Sequence, residues 1–259
     1  MSDRNDVTTR IISFLEYQEE VYGPFQIPEV EKESEQEQTE SPQPVISATQ
    51  EDMPERSATA NKSEIYQKVA ACQNLDELRE ICDHADILHT DLENTRLVFG
   101  VGNPDADLML IGEAPGYHED QQGEPFVGRA GQLLNDILKA INFKREDVYI
   151  ANILKHRPPN NRDPLIDERR QSLPFLEKQI DLIQPKLILC LGRISAQTLL
   201  DINESMGQLR GTFHPYREKY ELMVTYHPAA LLRNPQWKRG TWEDVQKLRK
   251  RYDELGCKP

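Results

Sequence analysis

The sequence predicts an α/β fold, a parallel sheet covered by helices on both faces, and three observations carry that expectation. LMLIG (Leu108 to Gly112) and KLILCLG (Lys186 to Gly192) are continuous apolar runs, the signature of strands buried on both faces. Helical spacing follows in GRAGQLLNDIL, where Leu133, Leu134, Ile137 and Leu138 share a face. Strand-like and helix-like segments then alternate along the chain, which sets successive strands side by side with helices across both faces.

In order, Ser63 to Cys82 reads as one or two helices, followed by a strand at 107–112 and a helix at 128–141. A strand at 148–153, a helix at 165–183, a strand at 186–192 and a helix at 193–201 come next. A hairpin near 209–226 and a last helix at 241–254 complete the expected domain, which spans residues 61–259. Residues 1–60 form a separate acidic tail. Within it Val7 to Tyr22 has amphipathic spacing through Ile11, Ile12 and Leu15, a candidate docking helix for a protein partner. Residues 23–60 are rich in Glu, Gln, Ser, Pro and Thr, the composition of a disordered linker.

Charge is unevenly placed. Residues 1–60 hold 14 acidic and 4 basic side chains, −10 of the net −13. The rest of the chain is nearly neutral, so overall acidity does not exclude a local basic face for a polyanion. No stretch approaches the roughly 20 apolar residues of a membrane span, and the first apolar run, IISFLEY, is too short for a secretory signal. Cys72, Cys82, Cys190 and Cys257 show no CxxC spacing, which suits free thiols in a reducing cytoplasm.

Three segments stand out. HPAALLRNP, His227 to Pro235, follows an expected buried strand and reads as a stiff loop between prolines, presenting an imidazole, two leucines and an arginine. GEAPGYHEDQQGEPFVG, Gly112 to Gly128, follows another strand and carries carboxylates and an aromatic ring where open α/β sheets bind ligands. YIANILKHRPPNNRDP, Tyr149 to Pro164, is a strand ending in asparagine followed by a proline-rich loop. Each has a purely structural reading: His227 in a strand-to-helix turn, Asn152 closing a strand, Phe126 in the core. A phosphate loop at GEAPG, as in a Rossmann-like nucleotide hydrolase, would need a lysine or metal cluster after it, and YHEDQQ offers neither.

Together these segments resemble the uracil-DNA glycosylase superfamily, most closely its family 4, over about Asn94 to Leu255. The resemblance implies a three-layer α/β/α domain with a short, mostly parallel sheet, and a monofunctional DNA-repair enzyme that flips uracil out of DNA and hydrolyses its glycosidic bond. The expected partner is uracil-containing DNA, the expected state a monomer, and the lack of a long apolar stretch leaves no membrane association. A binding protein of the same fold that has lost catalysis is the competing expectation.

The resemblance, with the chemistry it implies, assigns tasks to particular residues. His227 is the candidate electrophile, its N–H stabilising the anion that develops on the leaving base. Glu119 is the preferred water-activating base, with Glu113 orienting the loop or base and Asp120 a weaker third; Ala114 stands where other branches of the superfamily place an aspartate. Asn152 offers a donor and an acceptor to the uracil edge, Phe126 a stacking face, and Asn161 a phosphate contact or loop brace, with Gly112 and Ala114 as further substrate-binding candidates. Leu231 is the expected intercalating wedge. Lys155, Arg157, Arg162, Arg210, Arg233 and Arg239 are candidate phosphate contacts.

One departure limits the resemblance. Family 4 enzymes usually hold a [4Fe–4S] cluster on four cysteines, and the matching positions here are Ile87, Thr90, His156 and Ser172 or its neighbour Gln171. Clusters need thiolates for most ligands, so the expectation is an iron-free protein with no metal, the staple replaced by packing around Ile87 and Leu92.

Overall fold

The computed structural model describes residues 55–258, with side chains from Lys62 onward. The helix expected at 7–22 lies outside the described residues, as does nearly all of the linker expected at 23–60. The first described helix, α1, runs from Glu55 to Ala71, so the last residues assigned to the linker are helical instead. It packs with α2 (Leu75–Asp83), whose N-cap Asn74 accepts the Glu77 amide.

The sheet contains β1 (Val101–Gly102), β2 (Leu108–Gly112), β3 (Tyr149–Asn152), β4 (Leu187–Leu191), β5 (Phe213–Tyr216) and β6 (Tyr220–Thr225), in the order β1-β3-β2-β4-β6-β5. The four inner strands are parallel and the two edges antiparallel. Alternate residues face opposite layers. Met109, Ile111, Ile188, Cys190, Leu222 and Val224 meet α5 (Ile166–Ile183) and α6 (Arg193–Leu200) on one side. Leu108, Leu110, Leu187, Leu189 and Met223 meet α4 (Arg129–Ala140) and α9 (Lys238–Glu254) on the other. Both faces of each inner strand are therefore dry, which is why these strands read as unbroken apolar runs. At about 1.5–3 kcal/mol per fully buried aliphatic side chain, these two layers dominate the stabilisation. A third cluster, Val69, Leu78, Cys82 and Phe99 with Phe175, fastens α1 and α2 to the outside of α5.

The chain leaves β2 for β3 on one side and returns from β3 to β4 on the other. That reversal opens a crevice at the carboxyl ends of the strands. Three more short helices line the way: α3 (Tyr117–Gln122), α7 (Met206–Leu209) and α8 (Pro228–Arg233).

Helix α8 corrects the expectation of a stiff loop. Pro228 occupies the first helical position, where its fixed φ helps and its missing N–H costs nothing. His227 caps the helix, and Asn234 followed by Pro235 stops it. The helical turn carries Leu231 inward, where it is buried. Leu231 is thus a core residue and not an available wedge; its neighbour Leu232 is the leucine at the crevice.

Candidate active site at the carboxyl ends of the strands

A cavity of about 250 Å³ opens in the crevice, lined by Glu113, Phe126, Asn152, Asn161 and His227 among others. β2 delivers Glu113, β3 delivers Asn152, and β6 leads into His227. Gly192 follows β4 directly, and a Cβ there would come within 3.1 Å of the His227 Cβ. A bare glycine there lets the His227 segment cross the end of β4.

Phe126 sits on the cavity floor with φ +54, a left-handed backbone that bulky residues seldom adopt. The structure around it holds this conformation. Glu119 Oε1 accepts the Val127 and Gly128 amides at 2.9 and 3.1 Å, while Oε2 accepts the Gly116 amide at 3.2 Å. Gly131 leaves room for the Phe126 carbonyl, which any Cβ would overlap. Glu119 is therefore committed to clamping the loop that turns Phe126 into the cavity. This differs from the expected water-activating base, because three of the roughly four acceptor directions of its carboxylate are already used. Asp120 is likewise occupied, buried and accepting the Arg96 amide at 2.8 Å.

Gly112 ends β2 with a Cβ position that would strike both the Phe126 ring, at 2.6 Å, and Asn152 Oδ1. Its missing side chain brings reader and stacking face together. Asn152 is 2% exposed, and its Oδ1 has no hydrogen-bond partner among the described residues. An unpaired buried carbonyl costs about 1–3 kcal/mol, so this acceptor calls for a ligand donor.

His227 lies with its ring centroid 5.4 Å from that of Phe126, the planes tilted by 33°. Its Nδ1 accepts the Ala229 amide at 3.2 Å, which leaves the proton of the neutral ring on Nε2. Burial, then the Arg233 guanidinium, push its pKa down to about 4. At neutral pH the ring is an uncharged N–H donor.

Burial, reinforced by Asp163, raises the Glu113 carboxyl to about 7. It is the lining carboxylate poised to exchange a proton near neutrality. Ala114 lines the cavity beside it. Asn161, in a left-handed turn at φ 48, accepts from Arg157 Nε at 2.6 Å. The loop-brace alternative for Asn161 has this bond behind it.

The expected phosphate contacts divide. Arg233 is exposed at the cavity edge. Arg162 lines the cavity but binds Glu168 at 2.6 and 2.8 Å. Arg210 pairs with buried Asp244 at 2.8 Å, and Arg157 lies over the Tyr117 ring. Arg239 is outward and pairs loosely with Glu243. Lys155 is a correction: fully buried, its Nζ donates to Gln179 Oε1 (2.6 Å), the Asn152 carbonyl (3.0 Å) and the Phe99 carbonyl (3.3 Å). It cannot reach DNA, and instead braces the strand end that presents Asn152. His118 and Arg129 also line the cavity, and nothing in the motifs marks them. For His118 the short helix α3, hidden in what read as loop, is the missing signal.

The positions matching cluster ligands do not fit an iron–sulfur group. Thr90 Oγ1 donates to the Arg157 carbonyl at 2.6 Å and Ser172 Oγ to the Ile153 carbonyl at 2.6 Å. His156 Nδ1 meets Thr95 Oγ1 at 3.0 Å, and its ring stacks on His89 at 4.2 Å. Ile87 packs against the α1–α2 cluster. The staple is therefore largely hydrogen-bonded and stacked, and less apolar than packing around Ile87 and Leu92. The four cysteines are buried elsewhere, Cys72 and Cys82 by α1 and α2, Cys190 within β4 and Cys257 near the end of the chain.

A mostly parallel α/β sheet whose switch-point cavity sets a neutral imidazole and an unpaired amide oxygen beside an aromatic ring defines a site for a flat, hydrogen-bonding heterocycle. The family model for the uracil DNA glycosylase superfamily matches residues 99–246, and the chain belongs to that superfamily. It is 40% identical over 186 residues to the type-4 uracil-DNA glycosylase of Archaeoglobus fulgidus, covering 68% of this chain and 92% of the relative. It is 45% identical over 164 residues to that of Sulfurisphaera tokodaii, covering 60% and 74% of the two chains. A type-5 uracil-DNA glycosylase of Thermus thermophilus is 31% identical over 151 residues, covering 51% and 68%.

Proposed function

We propose that the protein is a DNA-repair glycosylase that hydrolyses the N-glycosidic bond of uracil in DNA. The observation that carries this reading is the unpaired, buried Asn152 Oδ1 beside Phe126 and His227. Uracil presents an N3–H donor flanked by acceptors. Asn152 can accept from N3–H and donate to O4, while cytosine reverses that edge and would leave buried groups unpaired. Phe126 stacks on the flipped ring.

As the C1′–N1 bond breaks, its electron pair goes to the base, and negative charge gathers on the pyrimidine oxygens. The His227 Nε2–H donates to O2 without being charged beforehand, a contribution of about 2–4 kcal/mol by comparison with other preorganised donors. Water attacks C1′, and Glu113 takes its proton and passes it on to the departing uracil anion, directly or through solvent; uracil and an abasic sugar are the products. Glu119 and Asn161 hold loops, Lys155 holds the end of β3, and Arg233 meets phosphate.

Among the described residues no lysine lines the cavity, which supports a monofunctional hydrolase without a Schiff base. The donor set at the cluster positions supports an iron-free enzyme. No described helix is long and apolar enough to cross a membrane. Free thiols suit a reducing compartment such as the cytoplasm. The competing reading is a binding protein of this fold that recognises uracil without hydrolysing it. Release of free uracil from a uracil-containing oligonucleotide tests the choice: retention of that oligonucleotide without release would establish the binding protein instead.

A further inference from the structure

The chain has two tryptophans, five residues apart, and both are exposed just beyond the segment that lines the cavity edge. Trp237 is 37% exposed although it stacks on Tyr226, ring centroids 4.7 Å apart and planes within 15°. Tyr226 immediately precedes His227. Trp242 is 43% exposed in the first turns of α9. Lys238 and Arg239 precede it by four and three residues, so all three share one helix face. The Arg239 side chain is 90% exposed. Leu232 and Arg233, at the end of α8, line the cavity itself, and the Trp237 turn follows directly.

A large aromatic left in water beside cations is costly for a core and useful for a ligand that has both flat rings and phosphates. We propose that Trp237 and Trp242, with Lys238, Arg239 and Arg233, form a stacking track for single-stranded DNA flanking the flipped nucleotide. The track runs from the cavity edge along the start of α9. It rests on the reading of the cavity as a uracil site, since that reading brings DNA to this edge. Stacking needs bases already free of a partner strand, so the track gives the protein a preference for single strands. Cations on the same face neutralise successive phosphates and make binding salt-dependent.

Fluorescence excited selectively at tryptophan reports on this surface, because both tryptophans of the chain lie in it. The probe is an undamaged single-stranded oligothymidylate of about 12 nucleotides, within the usual span of such sites, compared with the same strand paired to oligoadenylate. The expected result is quenching by the single strand at lower concentration than by the duplex. Trp242→Ala weakens single-strand binding roughly tenfold, and Trp242→Phe restores most of it. Lys238→Gln and Arg239→Gln each lower the slope of log affinity against log salt by about 0.7. Trp237→Ala also removes the support of Tyr226, so Trp242→Ala is the deciding variant. Equal affinity of parent and Trp242→Ala for the single strand overturns the proposal. So does concentration-dependent self-association abolished by Trp242→Ala with DNA affinity unchanged, which would make the patch a contact between copies. Because the probe contains no uracil, loss of excision with quenching intact counts against the catalytic reading and leaves the track standing.

Discussion

Replacing Glu113 by glutamine separates chemistry from stability, because the structure predicts opposite effects on the two. The carboxyl is raised from 4.5 to about 7 in the folded chain, chiefly by burial. The folded state therefore holds this proton more tightly than the unfolded state does. Stability from this group is complete below about 4.5, falls as pH rises, and is fully lost above about 7. The gap of about 2.5 pH units corresponds to about 3 kcal/mol. Glutamine has nearly the same shape and no charge to bury. The Glu113→Gln protein should match the parent near pH 4 and exceed it by up to about 3 kcal/mol at pH 8, a rise of several degrees in Tm for a domain of this size. Its excision rate should fall by roughly 10²–10⁴-fold if this carboxylate activates water. The parental rate should climb with pH and level off above about 7, since only the deprotonated form accepts the proton. Thermal melts at several pH values and single-turnover excision measure both quantities. A variant less stable than the parent at pH 8, or one that excises at the parental rate, would refute the reasoning.

His227→Ala should reduce single-turnover excision at least tenfold while far-UV circular dichroism stays parental, because the ring is a donor at the cavity and its loss leaves both core layers intact. Asn152→Asp should slow uracil excision and admit some activity on cytosine, read as free base released from matched oligonucleotides; unchanged discrimination would remove Asn152 as the reader. A chain beginning near Asn61 should keep its excision rate and bind DNA more tightly at low salt, as the acidic segment no longer repels phosphate; a folded truncation that has lost activity would show that the tail takes part. Protein purified anaerobically should be colourless and free of iron by elemental analysis, and a broad visible absorbance with bound iron would contradict the donor chemistry at Thr90, His156 and Ser172.

What the sequence made legible follows from where the information lies. The inner strands could be read because burial on both faces demands unbroken apolar runs, and the long helices because their leucines keep a 3.6-residue period. β1 could not be read: two residues, Val101 and Gly102, become a strand only through pairing with β3. The motifs located the cavity, yet burial reassigned roles within it. Leu231 and Leu232 are equivalent in sequence, but one step of about 100° around a helix separates core from cavity. Lysine is so seldom buried that Lys155 reads as a surface cation until Phe99, Asn152 and Gln179 are seen around it. Glu113 and Glu119 differ in the same way: backbone amides absorb the second, while burial near Asp163 readies the first.

The altered staple explains how such a site can stand without thiolates. The proline loop must hold Asn161 and Arg162 at the cavity edge, a task a cluster would perform by tying the loop to distant segments. Here Thr90 ties it through the Arg157 carbonyl, Arg157 passes the constraint to Asn161, and Arg162 is gripped by Glu168 at the start of α5. His156 carries the load inward. Burial, then His89, keep its pKa near 4, so at neutral pH it is an uncharged ring stacked on His89 and bonded to Thr95. Each neutral bond contributes only about 1 kcal/mol, but the loop needs position more than strength. Several weak bonds reaching it from different segments restrict it in more directions than one strong bond would. The same arrangement makes the staple acid-sensitive where a cluster would be redox-sensitive: with the folded pKa of His156 lowered from 6.5 to about 4, its share of stability is present above 6.5 and lost as pH falls towards 4.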